Sequence, residues 1–325
     1  MTKGLVNLKR ILFSLLVVMP SSGVHAQATY PTRAVHFITP FPPGGSLDPM
    51  TRMAAQKLGE RWGQPTVVEN RPGANTIIGT QAVARAAPDG YTLLVVGTPF
   101  VVMPSLFPAP YDVQRDFAPI TSMARSRQIL VVNPALPVRT LKELITFASS
   151  RPGQINYSSS GAGNINHLSA ELLNMIAGIK LQHIPYKGGG PAVTDVISGQ
   201  VQVSFQVPIS VIQHVKTGRL RALAVSGQTR LPALLQVPTF AEAGLPAYEI
   251  TGWNGMFAPA ATPRDIVEKI SLEMAKILAL PEIIERFTAQ GLEPMILSPE
   301  QFTAFLKADL AKYAKLIKDA NIKVE

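Results

Sequence analysis

From residue 33 onward, short runs rich in β-branched and apolar residues alternate with longer runs whose apolar positions recur at helical spacing. Strands are expected over 35–39, 66–70 and 92–96, with helices over 49–62 and 77–87 between them. The run Thr92-Leu93-Leu94-Val95-Val96 is apolar enough for a parallel strand covered on both faces. Gly97-Thr98-Pro99 reads as a small-residue turn after it. Segment 117–133 breaks the alternation, because it holds two extended runs with no helix between them. It reads as a crossing into a second domain.

The βα alternation then restarts. A helix over 140–150 has Thr140 as its cap, and strands are expected over 155–158, 181–185, 201–205 and 220–225. Between them lie helices over 165–177, 191–198 (with Pro191 at the first helical position) and 209–216. Residues 248–258 are extended and cross back, after which 263–280, 282–290 and 299–319 are helical. The last helix carries Phe302, Phe305, Leu306, Leu310, Tyr313, Leu316 and Ile317 as an apolar stripe suited to core packing. The fold class is therefore α/β with two domains, each a βα sheet, hinged by two extended crossings. The expected boundaries are 27–124 plus 255–325 for the first, discontinuous domain and 125–254 for the second.

Two strand-to-helix turns stand out. Pro40-Phe41-Pro42-Pro43-Gly44-Gly45-Ser46-Leu47-Asp48 is rigid and small-residued, and Ser159-Ser160-Gly161-Ala162-Gly163-Asn164 is its counterpart in the second half. Such turns leave N–H groups at a helix start without intrahelical partners, which suits an anion. Ligands of open α/β sheets sit outside the carboxyl ends of strands, where both turns fall. No Lys or Arg occurs from Pro40 to Thr51 or from Ile155 to Ile179, so an anion there is met by amides, hydroxyls and dipoles. Asp48 is expected to cap its own helix and fix the loop, Lys187 to be solvated, and Trp253 to pack at the hinge.

The composition narrows the setting. The chain has 325 residues, 46% hydrophobic and 16% charged, ample for packed cores. Lys3, Lys9 and Arg10 precede the apolar run 11–19, and small residues follow it up to Val24-His25-Ala26. This is the pattern of a secretory signal peptide over 1–26, cleaved after Ala26 or alternatively Ala28, and it predicts an exported mature protein. Removing those three positive charges from the net +9 leaves +6. The basic residues are scattered, so nucleic acid is not an expected partner. The absence of Cys excludes disulfides and thiolate chemistry. His36, His167, His183 and His214 stand isolated in the sequence, and neither a metal site nor a cofactor is expected. The Gly-x-Ser-x-Gly elbow, the dinucleotide fingerprint and the P-loop are all missing. No catalytic residues are assigned.

Many motifs in order resemble the substrate-binding proteins of tripartite tricarboxylate transporters, the Bug or TctC-like family. They include Phe41-Pro42-Pro43-Gly44-Gly45, Val68-Glu69-Asn70-Arg71-Pro72-Gly73-Ala74, Pro88-Asp89-Gly90-Tyr91 and Asp116-Phe117-Ala118-Pro119. Tyr186-Lys187-Gly188, Gly218-Arg219-Leu220-Arg221-Ala222-Leu223-Ala224 and Val237-Pro238-Thr239 continue the series over essentially the whole mature chain. The resemblance implies a type II periplasmic binding protein that captures a small carboxylate and delivers it to membrane permease subunits, and a monomer is expected. Carried over by position, the first-domain contacts are Phe41, Pro43, Gly44, Gly45, Ser46, Asn75 and Thr98. Those of the second domain are Ser159, Ser160, Gly161, Ala162, Gly163, His167 and Gln206, the last standing where relatives carry Asp or a small residue. Two alternatives are a periplasmic ligand sensor and an exported serine hydrolase, the latter needing Ser159 or Ser160 beside His167.

Overall fold

The computed structural model describes residues 30–44 and 47–322. The signal-peptide segment, Gly45 and Ser46 lie outside the described residues. The first strands and helices are β1 (Val35–Thr39), α1 (Leu47–Trp62), β2 (Thr66–Asn70), α2 (Ile77–Ala84), β3 (Thr92–Gly97), α3 (Pro99–Leu106) and β4 (Phe117–Ser126). The chain continues through β5 (Ile129–Val132), α4 (Leu141–Ser149), β6 (Asn156–Ser159), α5 (Ile165–Ala177), β7 (Gln182–Pro185), α6 (Gly189–Ser198), β8 (Val203–Gln206), α7 (Pro208–Lys216) and β9 (Arg221–Val225). It closes with β10 (Gly252–Pro259), α8 (Arg264–Leu278), α9 (Pro281–Ala289), β11 (Leu292–Pro294) and α10 (Pro299–Asp319).

These strands form two sheets, ordered β11-β4-β10-β3-β1-β2 and β7-β6-β8-β5-β9. In the first, β1 pairs in parallel with β2 and β3, whereas β10 runs antiparallel to β3 and β4. In the second, β6 is parallel to β7 and β8, and β5 is antiparallel to β8 and β9. Both sheets are thus mixed. The antiparallel members are β5 and β10, which carry the chain between sheets, and β11, which pairs with β4, and local periodicity encodes none of these pairings. The covering of β3 on both faces is as expected. Leu93 and Val95 pack with Met50, Leu58 and Ile270, while Leu94 and Val96 pack with Phe100 and Val101.

Helix α3 departs from the expected turn at 97–99. Its residues Pro99, Phe100, Val101, Val102 and Met103 are all buried, and Pro104 lies inside it. A helix apolar on every side has no amphipathic period to detect. Helix α6 begins at Gly189, so Pro191 is its third residue rather than its first. Helix α2 ends at Ala84, short of the expected Ala87. Thr140 caps α4 by accepting the Glu143 N–H at 3.1 Å.

Two buried contacts join the crossings to the rest. Trp253 on β10 donates its indole N–H to Asp309 Oδ2 on α10 at 2.6 Å, and its ring meets Phe302 and Phe305 edge-on. Trp253 therefore packs internally, next to the return crossing. Burial pushes the Asp309 carboxyl up to about 6, against the pull of Trp253, Lys312 and Arg125. A raised folded-state value means the native state holds a proton that the unfolded chain has lost. The stability this contributes is fully present below the unfolded carboxyl value and is lost as pH rises through about 6. Asp309→Asn keeps an acceptor for the indole and removes the titration. It should stabilise the protein at pH 8 by about 2–3 kcal/mol and change little below about pH 4. Chemical denaturation at the two pH values checks this, and an unchanged pH dependence in the variant would refute it.

Candidate functional site

The carboxyl ends of β1, β2 and β3 are neighbours in the first sheet, and the loops leaving them share one rim. Asp48, in the first turn of α1 and 6% exposed, organises that rim. Its Oδ2 accepts the Gly44 N–H and the Arg52 Nε–H, each at 3.1 Å. Its Oδ1 accepts Asn70 Nδ2–H at 2.9 Å. The same Asn70 amide also reaches the Phe41 carbonyl at 3.1 Å, and Arg52 Nη2 donates to Asn70 Oδ1 at 2.9 Å. Burial raises the Asp48 carboxyl, but the bonds from Arg52, Asn70 and Gly44 outweigh it and leave the group below the usual carboxylate value. Gly44 adopts φ +76°, so the loop turns there in a conformation side chains disfavour. Phe41 is half-buried, and Pro43 and Gly44 are exposed.

The neighbouring loop is strained. After Gly73, the residues Ala74, Asn75 and Thr76 take φ 44°, 51° and 81°, three non-glycine residues in the left-handed region in succession. Each costs on the order of 1 kcal/mol or more, which the surrounding fold must offset. Asn75 is exposed. Thr98 is buried; it donates its N–H to Trp253 O at 3.2 Å, and its Oγ1 accepts the Trp253 N–H at 3.1 Å.

In the second sheet β6 divides the site between its two faces. Tyr157 and Ser159 project toward α5. Parallel pairing sets His183 of β7 opposite Tyr157, and the rings stack at 4.9 Å between centroids. His167 of α5 stacks on His183 in turn, at 4.0 Å and 11°. His183 Nε2 lies 2.6 Å from Ser159 Oγ, and His167 Nδ1 accepts the Gly163 N–H at 3.0 Å. The Gly161 N–H donates to Ser159 Oγ at 3.1 Å, while Ser160 Oγ donates to Asn166 Oδ1 at 2.6 Å. Both serine hydroxyls are therefore engaged in holding the loop. Ala162 is half-buried at its tip. Gly163 (φ +76°) lies so close to α3 that a methyl there would stand 2.4 Å from Met103 Cε.

On the other face of β6, Ser158 Oγ meets Ser204 Oγ at 2.9 Å, and Ser204 Oγ accepts Gln206 Nε2–H at 2.8 Å. Gln206 is 1% exposed at the carboxyl end of β8, level with the second loop. Among the described residues, five helices that start at these strand ends lack side-chain caps. No side-chain cap bond is made by Asn164 before α5, Gly188 before α6 or Val207 before α7, nor by Thr76 before α2 or Thr98 before α3. Away from the rim, α4 and α10 are capped by Thr140 and Ser298, whereas α8 and α9, like the rim helices, make no side-chain cap bond.

Sequence reasoning missed four framework residues. Arg52 was legible as an i,i+4 partner of Asp48. Asn70 lay inside a flagged motif, and Asn166 stands two residues beyond the second turn. His183 carried no signal, since only strand pairing brings it to Ser159. The expectation that the histidines stand isolated is corrected for three of them. His36 pairs with Glu69 at 2.7 Å, and His167 stacks with His183. His167 is 3% exposed and accepts the Gly163 N–H. The hydrolase alternative is not supported, because Ser159 is fully buried and lies against His183 rather than His167. Among the described residues no group of three potential ligands is gathered for a metal ion.

A family model described as the tripartite tricarboxylate transporter family receptor matches residues 50–322. The chain is 36% identical to Protein BugT of Bordetella pertussis over 325 residues, covering 98% of this chain and 100% of that one. A protein of R. palustris solved with adipate superposes with a TM-score of 0.83 at 33% identity, covering 90% of this chain and 99% of that one. MatC from Rhodopseudomonas palustris, solved with bound malate, gives 0.79 at 27% identity, covering 89% and 100%.

The stacked imidazoles supply a test of the loop's framework. Burial first, then His183, holds His167 down to about 3, and burial holds His183 down to about 4. Values depressed in the folded state favour neutral rings, so stability is present above the unfolded histidine value and is lost as pH falls from about 6.5. His167→Asn retains an acceptor for the Gly163 N–H. The stability gap between wild type and this variant should narrow by about 2–3 kcal/mol between pH 7 and pH 4.5 in urea titrations. A gap independent of pH would refute the assignment.

Proposed function

The chain belongs to the tripartite tricarboxylate transporter receptor family, and on that premise we propose that it is an exported solute-binding protein holding a small carboxylate between its two sheets. It works without catalysis, in the periplasm and as a monomer, and hands its ligand to the membrane permease subunits of a tripartite transporter. The observation that carries this reading is the absence of side-chain caps at the helices that start on the rim of strand ends. Their first-turn N–H groups and dipoles are left for an anion. Each helix start contributes up to about 2 kcal/mol when partly buried, and each charge-assisted hydrogen bond about 1.5–3 kcal/mol. Both loops lack Lys and Arg, so these are the means available for micromolar binding.

The residues we assign to the site are Phe41, Pro43, Gly44, Gly45, Ser46, Asn75 and Thr98 on one side. Ser159, Ser160, Gly161, Ala162, Gly163, His167 and Gln206 form the other. Ser159, Ser160 and His167 act through the loop they brace, and Asp48 fixes its opposite number. Relatives solved with adipate and malate bear the same kind of ligand chemistry. Among the described residues no helix is long and apolar enough to cross a membrane.

Calorimetry and thermal shift against a panel of mono-, di- and tricarboxylates and aromatic acids test the reading. At least one compound should bind, stabilising by about 2.7 kcal/mol at a hundredfold excess over Kd. A Cβ at Gly44 meets nothing within 4 Å, so Gly44→Val should keep the fold. Its side chain opposes φ +76°, and affinity should fall at least about tenfold. No response of the folded wild type to any carboxylate would overturn the proposal.

A further inference from the structure

The face of β6 that turns toward α6 carries a chain of buried side-chain hydrogen bonds with one open end. Ser158 Oγ reaches the Ala192 carbonyl at 3.1 Å and Ser204 Oγ at 2.9 Å. Ser204 Oγ donates to the Ser158 carbonyl at 3.0 Å, which leaves it a lone pair for an N–H. Gln206 Nε2 supplies that N–H at 2.8 Å. A hydroxyl has one proton, so the arrangement has a direction, and it fixes which end of the Gln206 amide points inward. The other end, Oε1, is the atom that a side chain at Gly189 would meet, at 3.7 Å. Gln206 as a whole residue is 1% exposed, and among the described residues no donor is bonded to Oε1. Its surroundings are the uncapped start of α6 and the end of β8, on the rim where the second loop begins.

A ligand that closes over this acceptor without offering a donor leaves it buried and unpaired, which is costly, whereas a ligand that supplies a donor avoids that cost. A carboxylate oxygen cannot, because it brings only lone pairs and a negative charge. We infer that Gln206 Oε1 is a specificity determinant that selects carboxylates bearing a hydroxyl or amino donor over the corresponding unsubstituted acids. This rests on the carboxylate-binding reading above and adds to it. The amides of the helix starts hold the anionic group, whatever the rest of the ligand is. Gln206 then asks for a donor at a second point. A site built to pair with a substrate O–H or N–H rejects the analogue lacking it, since that analogue leaves the buried group unpaired.

The test uses matched pairs of acids: malate against succinate, lactate against propionate, and aspartate against succinate. Each is titrated calorimetrically into the mature wild-type protein and into Gln206→Met. Methionine keeps the length of the side chain and removes both amide ends, and Ser204 retains its bond to the Ser158 carbonyl. In the wild type the donor-bearing member of at least one pair should bind more tightly by about tenfold or more. In Gln206→Met, checked for cooperative melting, that ratio should fall to within about threefold of unity. Gln206→Glu, which keeps an acceptor but adds charge, should weaken both members of every pair. Wild-type pairs that bind equally would overturn the inference while leaving carboxylate binding intact, as would a preference that survives in Gln206→Met. The wild-type ratio decides the matter even if the variant folds poorly. If no acid of the panel binds the wild type, both the inference and the carboxylate reading fall together.

Discussion

Both sheets depend on the antiparallel ladder between β4 and β10, which runs from Gly252 opposite Ser126 to Pro259 opposite Phe117. It joins the strand that leaves the first sheet to the strand that returns. Beyond it the two crossings stay together. Gln128 donates its N–H to Ser226 Oγ, and Ser226 donates its N–H to the Gln128 carbonyl, both at 2.8 Å. The buried Arg127 guanidinium ties the outgoing crossing to Thr229 on the returning segment and to Glu293 on β11. Any relative motion of the sheets therefore bends a paired, hydrogen-bonded element rather than a free linker. The ladder also reaches the rim, because Thr98 bonds Trp253 through both its N–H and its hydroxyl. A displacement of β10 is carried directly to the start of α3, whose later residues Met103 and Leu106 lie against Gly163 of the second loop.

The two rims solve one problem with different side chains. A loop must be held rigid while its donors stay free. In the first sheet a buried carboxylate, a guanidinium and an amide do this: Asp48, Arg52 and Asn70 close a ring around the backbone from Phe41 to Gly44. In the second, stacked neutral imidazoles and serine hydroxyls serve the same end. A charged frame on both sides would place extra carboxylates beside the anion site. The neutral frame of the second loop avoids that, at the cost of burying two titratable rings.

Most of the fold was legible because its βα alternation is local. Strand 66–70 and helix 165–177 fall where their periodicity put them. What was not legible depends on partners distant in sequence. Helix α3 has no polar face to mark it, and β11 is a three-residue strand made by pairing with β4. The antiparallel direction of β10 follows from its role as the returning strand. The turns at 40–48 and 159–164 were visible as small-residue loops after strands, which is a local property. Their bracing was visible only where the partner is near in sequence, as with Asp48 and Arg52. His183, on a neighbouring strand 24 residues from Ser159, was out of reach of any local pattern.

The engagement of the loop hydroxyls bears on how such a site discriminates. Ser159 and Ser160 look, in a sequence, like donors awaiting a ligand. In the fold their oxygens are bonded to His183, Gly161 and Asn166. A hydroxyl that bonds its own loop gives up a possible ligand contact but removes conformational freedom that binding would otherwise have to restrict. What remains for the ligand is mainly backbone N–H, which reads negative charge and little else. Backbone donors cannot distinguish one carboxylate from another of similar size, so discrimination must come from side chains whose polar atoms are still unpaired. Among the described residues Gln206 Oε1 is such an atom on the second rim, and its position is set by Ser158 and Ser204 beneath it. Affinity and selectivity are thus assigned to different parts of β6 and its neighbours. The face toward α5 braces the anion-binding loop, while the face toward α6 orients the group that reads the rest of the ligand.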